Sequence, residues 1–260
     1  LAVVAGNQLG AARPRVVAGL LLLWLAARAA FVAAPDSALA AAANVAFAGA
    51  LAWRVVPRLA GAAKKWRNRV LPLVLACLCL LAAWLQLARL GAGASASGTP
   101  LVALVALFAL LMLFMGGRIV APAIAGQFHH QGGNLEARVQ PHLEAALLAC
   151  GMLLPASLIV PGMLALAGAA SAGAGVLALV RLVRWRPWGL RGRPDLWCLA
   201  AGYAWLGLGL IALGAALAGG WHPLAALHVI TVGALGTLTF NVMAMTWTLR
   251  ARRGQADVAL

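Results

Sequence analysis

The chain has 260 residues, of which 64% are hydrophobic and only 10% charged. A globular domain is about half apolar and about a quarter charged, so a water-soluble fold is excluded. The net charge of +15 invites a nucleic-acid reading, but Lys and Arg fall in short loops between apolar runs, as membrane topology requires, and nucleic acid is excluded as a partner.

Apolar runs of bilayer length recur from end to end and predict an all-α, polytopic transmembrane bundle of about eight spanning helices in a single domain over residues 1–260. The first run, 16–34, ends at Pro35-Asp36, a turn signal. The second, 37–57, leads into Arg58, Lys64, Lys65, Arg67 and Arg69. The third, 70–90, is followed by the uncharged Gly/Ala/Ser stretch 91–98, which reads as the opposite face. The fourth, 100–117, meets Gly116-Gly117-Arg118 and then the longest polar loop, with His129, His130, Gln131, Asn134, Glu136 and Arg138. The fifth and sixth, 142–160 and 162–183, turn at Pro161-Gly162, with Gly168 to Gly175 inside the sixth helix as a close-packing stripe. A basic, Trp-bearing loop from Arg184 to Arg193 precedes the seventh run, 195–218, and the eighth is 224–248.

Alternating these runs across a bilayer puts every Lys and Arg except Arg28 and Arg89 on one side. That segregation predicts a multi-pass membrane protein with its basic loops and both ends of this chain cytoplasmic. Cys77, Cys79, Cys150 and Cys198 lie inside apolar runs without CxxC spacing and read as small core residues. The chain starts at Leu1 with no signal-peptide pattern, which suggests a truncated fragment.

No Walker A run, dinucleotide fingerprint, HExxH or nucleophile elbow occurs, and five acidic residues supply little paired-carboxylate chemistry. Polar residues inside the runs are more informative, because lipid makes them costly. At 100° per residue His228, Thr231, Thr239, Met243 and Thr246 share one face of the eighth helix, so His228 either ligates a metal or hydrogen-bonds a neighbouring helix. His222, beside Trp221, is a second outer-face metal candidate and equally an interfacial residue. His129-His130 is a weak metal signal in a flexible loop, and His142 and Glu144 open the fifth helix on the basic side. Arg28, inside the first helix, either snorkels or pairs with a heme propionate or bound anion. Arg118 is an orientation charge, with a Gly pair that admits something bulky, and the lone Tyr203 needs a hydroxyl partner.

The segment Ala226-Leu227-His228-Val229-Ile230-Thr231-Val232-Gly233-Ala234-Leu235-Gly236-Thr237-Leu238-Thr239 resembles the carboxy-terminal helix of NnrS-family membrane proteins. In the same order, Leu23 to Arg28, Gly116-Gly117-Arg118-Ile119 and Leu199 to Leu206 support it. The resemblance implies a heme- and copper-containing protein of the bacterial inner membrane, tied to nitric oxide metabolism and protection from nitrosative stress, with nitric oxide or iron-nitrosyl species as partners beside the lipid bilayer. It makes His228 a leading metal or heme ligand and Arg28, Arg118, Tyr203 and Thr231 pocket residues. Two departures stand out: the His-rich amino-terminal helices typical of the family are not found before Arg13, and Ala121 to Gln127 replaces a Thr-Arg-Asn-like polar group. Two other classes remain: a small-solute or ion transporter or channel, with Pro155 and Pro161 as helix breaks that find no clear mate, and a cofactor-free assembly subunit. Whether the chain catalyses a reaction is left open by these motifs.

Overall fold

The computed structural model describes residues 14–62, 66–92, 98–135, 140–190 and 192–258. Lys64, Lys65, Glu136, Arg138 and Arg191 lie outside the described residues, as does Arg13. Among the described residues the regular structure is helical, with no strand, and eight helices are long and apolar enough to span a membrane. They are α1 (Pro14–Ala33), α2 (Ala38–Ala62), α3 (Trp66–Ala92), α4 (Gly98–His130), α5 (Pro141–Ile159), α6 (Leu164–Arg184), α7 (Pro194–Gly219) and a composite last span. That span joins α8 (Leu224–His228), a π-helical segment (Val229–Gly236) and α9 (Thr237–Val258).

The fourth helix departs from the expected 100–117. It continues through Ala121, Pro122 and Ile124 to His130, with Val120, Ala121 and Ile124 buried, so the stretch read as a polar loop begins instead as helix. Its 33 residues correspond to about 50 Å, well beyond a hydrocarbon core of about 30 Å, which places the His129–His130 end outside the apolar layer.

The chain divides into two compact units, residues 1–107 and 108–260. In the first, α1 packs on α2 and α2 on α3. Ser37 starts α2 by accepting a hydrogen bond from the Ala40 amide at 3.1 Å, the usual way to satisfy a free helix-start N–H.

In the second unit α7 is the central helix, packed on α6 and on the last span. Lipid gives apolar side chains no reason to prefer one another, so tight association depends on close backbone approach at small residues. Here the small residues interlock. Gly168 and Gly175 on α6 face Gly214 and Gly207 on α7: a Cβ at Gly175 falls 2.5 Å from the Gly207 carbonyl oxygen, and one at Gly214 falls 2.6 Å from that of Gly168. Between the two crossings Ser171 Oγ donates to the Leu210 carbonyl at 2.7 Å. On another side of α7, Gly209 receives Ile230 and Gly202 receives Leu238, each too close for a methyl group. The predicted close-packing role of Gly168 to Gly175 is thus met by α7. Gly233 likewise approaches Trp205 closely, whereas a Cβ at Gly236 meets only its own helix backbone.

Helix α6 ends in a cap that uses Arg where Gly is usual. Arg186 takes φ 51° just past the last turn, its amide reaching the Val183 carbonyl at 3.0 Å, and Pro187 then stops the helix.

The seam makes a sharp distinction between neighbouring glycines. Gly175→Ala drives a methyl into the α7 backbone and is expected to cost about 1–3 kcal/mol. Gly173→Ala, whose added carbon meets only Cys150 Sγ at 3.7 Å, is expected to be neutral. Thermal unfolding of the two variants in detergent checks this; equal stability would contradict the seam.

Candidate functional site

Two polar loci stand out in the second unit, and they solve the cost of polarity in lipid in opposite ways. The first is closed. Arg181, on the same face of α6 as Gly168, Ser171, Gly175 and Ala178, is only 4% exposed. Its Nη2 donates to Glu144 Oε1 of α5 at 2.9 Å and its Nη1 to the Leu113 carbonyl of α4 at 3.2 Å. One turn on, the Trp185 ring lies 5.1 Å from the guanidinium carbon, a cation–π contact, and 5.1 Å from the Tyr203 ring of α7.

Glycines make room for this arrangement. A Cβ at Gly117 would sit 2.0 Å from Arg181 Nη2, and one at Gly116 2.3 Å from the Tyr203 ring. The pair read from sequence as admitting something bulky therefore admits the protein's own Arg181 and Tyr203. Arg118, next along, lays its guanidinium 4.4 Å from the Phe114 ring.

The cluster is rich in donors. Tyr203 Oη, Trp185 Nε1 and Arg181 Nε are all buried and make no hydrogen bond of normal geometry within the protein. The Tyr203 hydroxyl lies within electrostatic reach of Arg181 and Glu144, with Arg181 the side chain nearest to serving as its partner.

The second locus is open. His228 is exposed on its unit, and its Nδ1 lies 2.8 Å from the Leu224 carbonyl oxygen. A carbonyl only accepts, so Nδ1 is the donor in this contact, which in the neutral imidazole leaves Nε2 as the acceptor. That is the arrangement by which proteins hold a ligating imidazole. The π-helical segment starts at the next residue, and such widened turns recur at functional sites. Thr231, half-buried, returns its hydroxyl to the Leu227 carbonyl at 2.8 Å.

This geometry corrects the straight polar stripe. An i→i+5 segment between His228 and Thr237 shifts the phase, so Thr239, Met243 and Thr246 are not aligned with His228 at 100° per residue. His228, His222, Thr239 and Met243 are nevertheless all exposed.

Within the second unit the candidate residues do not converge on one point. Arg28 lies in the first unit, where its guanidinium donates to Asn44 Oδ1 of α2 and lies 5.8 Å from the Phe31 ring. Arg89, the other basic residue outside the segregated set, lies 5.5 Å from the same ring. Tyr203 is six residues from Gly209, which meets Val229 and Ile230 beside His228, a separation of about 9 Å along α7. Sequence reasoning missed Arg181, its partner Glu144 and Trp185. The signal was there: Arg181 continues the small-residue face of α6 at i+3 and i+6 from Ala178 and Gly175.

As to metal, among the described residues no group of three or more His, Cys, Asp or Glu comes together. The lone His228 fits a heme axial ligand, which needs one imidazole; with His222 it falls short of a copper centre, which uses about three protein donors.

A protein-family model described as "NnrS protein" matches residues 5–255. No curated protein and no solved structure matches.

The buried ion pair has a distinctive mutational signature. Glu144→Leu strands the Arg181 charge and is expected to cost about 3–5 kcal/mol, whereas Glu144→Leu with Arg181→Leu recovers much of that loss. A double-mutant cycle by thermal unfolding measures it; additive losses would show that the two side chains are not coupled.

Proposed function

Because the chain belongs to the NnrS family, we propose that it is a heme- and copper-binding inner-membrane protein that takes part in nitric oxide metabolism and protection from nitrosative stress. The observation that carries the reading on this chain's own residues is His228: an exposed imidazole with its Nδ1 proton fixed on a backbone carbonyl, at the start of a π-helical segment.

In this reading His228 Nε2 would hold the heme iron from the start of the π-helical segment. Heme bound there supplies an iron centre able to take nitric oxide. Thr231, one turn on, and His222, nearer the outer end, are the other residues at this end of the last span. Arg118, Tyr203 and Arg28 are the further residues that membership of the family assigns to the pocket. Copper enters only at the level of the family, since His222 and His228 are two donors and no third joins them among the described residues. The basic loops face the cytoplasm, with both ends of this chain on that side, which puts His228 toward the outer face.

A heme spectrum of the purified protein tests this. Wild type is expected to carry heme, and His228→Ala to lose it or shift its Soret band while keeping the elution volume and unfolding temperature of wild type, because the side chain is exposed. An unchanged spectrum removes His228 from the site. Protein purified with neither heme nor copper favours the transporter or assembly-subunit classes.

A further inference from the structure

At the basic end of the second unit an open cleft of about 830 Å³ lies where the start of α5 meets the end of α6. It is lined by His142, Arg184 and Arg186, with Gln140 buried at its floor and Trp188 half-exposed at its rim. The wall therefore carries two permanent guanidinium charges and an imidazole, and among the described residues no carboxylate lines it. The first turn of α5 opens there too, and Gln140 at its N-cap makes no side-chain cap. Those amides add to the positive field.

The surroundings of the cleft say what kind of anion it suits. Val183, which lines it, is 56% exposed, and Val180 and Val176 are 42% and 50% exposed. Spaced i, i+3 and i+7 back along α6, they form an apolar track running from the cleft toward the middle of the span. Trp188 follows the end of α6, and indole rings are enriched where headgroup meets acyl chain. A soluble anion needs only the charges; the charges, the apolar track and the tryptophan together match a molecule with a phosphate at one end and hydrocarbon at the other.

We propose that this cleft is a binding site for an anionic phospholipid, its phosphate held by Arg184, Arg186 and His142 and an acyl chain laid along Val183, Val180 and Val176. Basic pockets between spanning helices are where anionic headgroups are held in membrane proteins generally. The site is independent of the heme reading, since it uses none of the residues assigned there.

The full chain, purified in mild detergent, is titrated with phosphatidylglycerol or cardiolipin in mixed micelles, and binding is followed by thermal unfolding and native mass spectrometry. Wild type is expected to bind the anionic lipid and be stabilised by it, and not by phosphatidylcholine. Arg184→Gln with Arg186→Gln is expected to weaken binding by about thirtyfold, the effect of two basic residues at an anionic headgroup. Both side chains are exposed, so the fold survives; Arg184→Lys with Arg186→Lys keeps most of the binding, and Arg54→Gln with Arg58→Gln, in the first unit, keeps all of it. Equal affinity in the double Gln variant overturns the site. Inorganic phosphate alone reproducing the stabilisation overturns the lipid and leaves a soluble phosphate as ligand.

Discussion

A guanidinium that spends its time inside a helical membrane bundle must be met from within, and Arg181 sets that demand for the second unit. Burial removes it from bulk solvent, and its partners come from three helices: Glu144 from α5, the Leu113 carbonyl from α4 and the Trp185 ring at the end of α6. Each partner fixes a position. Glu144 must enter on the right face of α5, and α4 must carry glycine at Gly116 and Gly117 so that Tyr203 and Arg181 fit against it. The ion pair need not add net stability over an apolar substitute, but losing one partner is costly. It therefore acts as a specification of register among α4, α5 and α6 more than as glue.

Adhesion comes from elsewhere. The glycine seam between α6 and α7 brings backbones close enough for dispersion contacts along two full turns, and the Gly209 and Gly202 notches seat the last span on the opposite side of α7. Held in that way, the last span can leave its regular winding from Val229 to Gly236 and present His228 outward rather than into the bundle. The unit thus keeps one charged group inward and paired with Glu144, and one imidazole outward. The inward group accounts for the arrangement of the helices; the outward one is where the proposed chemistry of the family finds a foothold on this chain.

Much of this was legible in the sequence because lipid is a demanding solvent. Runs of about twenty apolar residues leave little choice of fold, and the segregation of Lys and Arg counts the crossings independently. The Gly168 to Gly175 stripe was readable as a packing face for the same reason. What the sequence did not disclose depends on pairing between distant helices. Glu144 reads as an ordinary first-turn acid until α5 is set beside α6, and Gly116-Gly117 reads as room for a ligand until Tyr203 and Arg181 are found there. The π-helical segment was hidden because its residues, Val229 to Gly236, are as good for a plain helix by pattern; only the packing of Gly209 against Ile230 shows how the turn is widened. The fourth helix was cut short because Pro122, Gly126 and two histidines look like loop punctuation, while Ala121 and Ile124 are in fact buried.

The register of α5 against α6 decides whether Glu144 can reach Arg181, and one native cysteine reports on it. A Cβ at Gly173 lies 3.7 Å from Cys150 Sγ, two turns further along the same antiparallel pair. Gly173→Cys should therefore form a disulfide with Cys150 on mild oxidation of the folded protein, seen as a protected Cys150–Cys pair by mass spectrometry and abolished by Cys150→Ala. If the introduced thiol stays free, or pairs with Cys77, Cys79 or Cys198 instead, the register is wrong and Arg181 has a different partner.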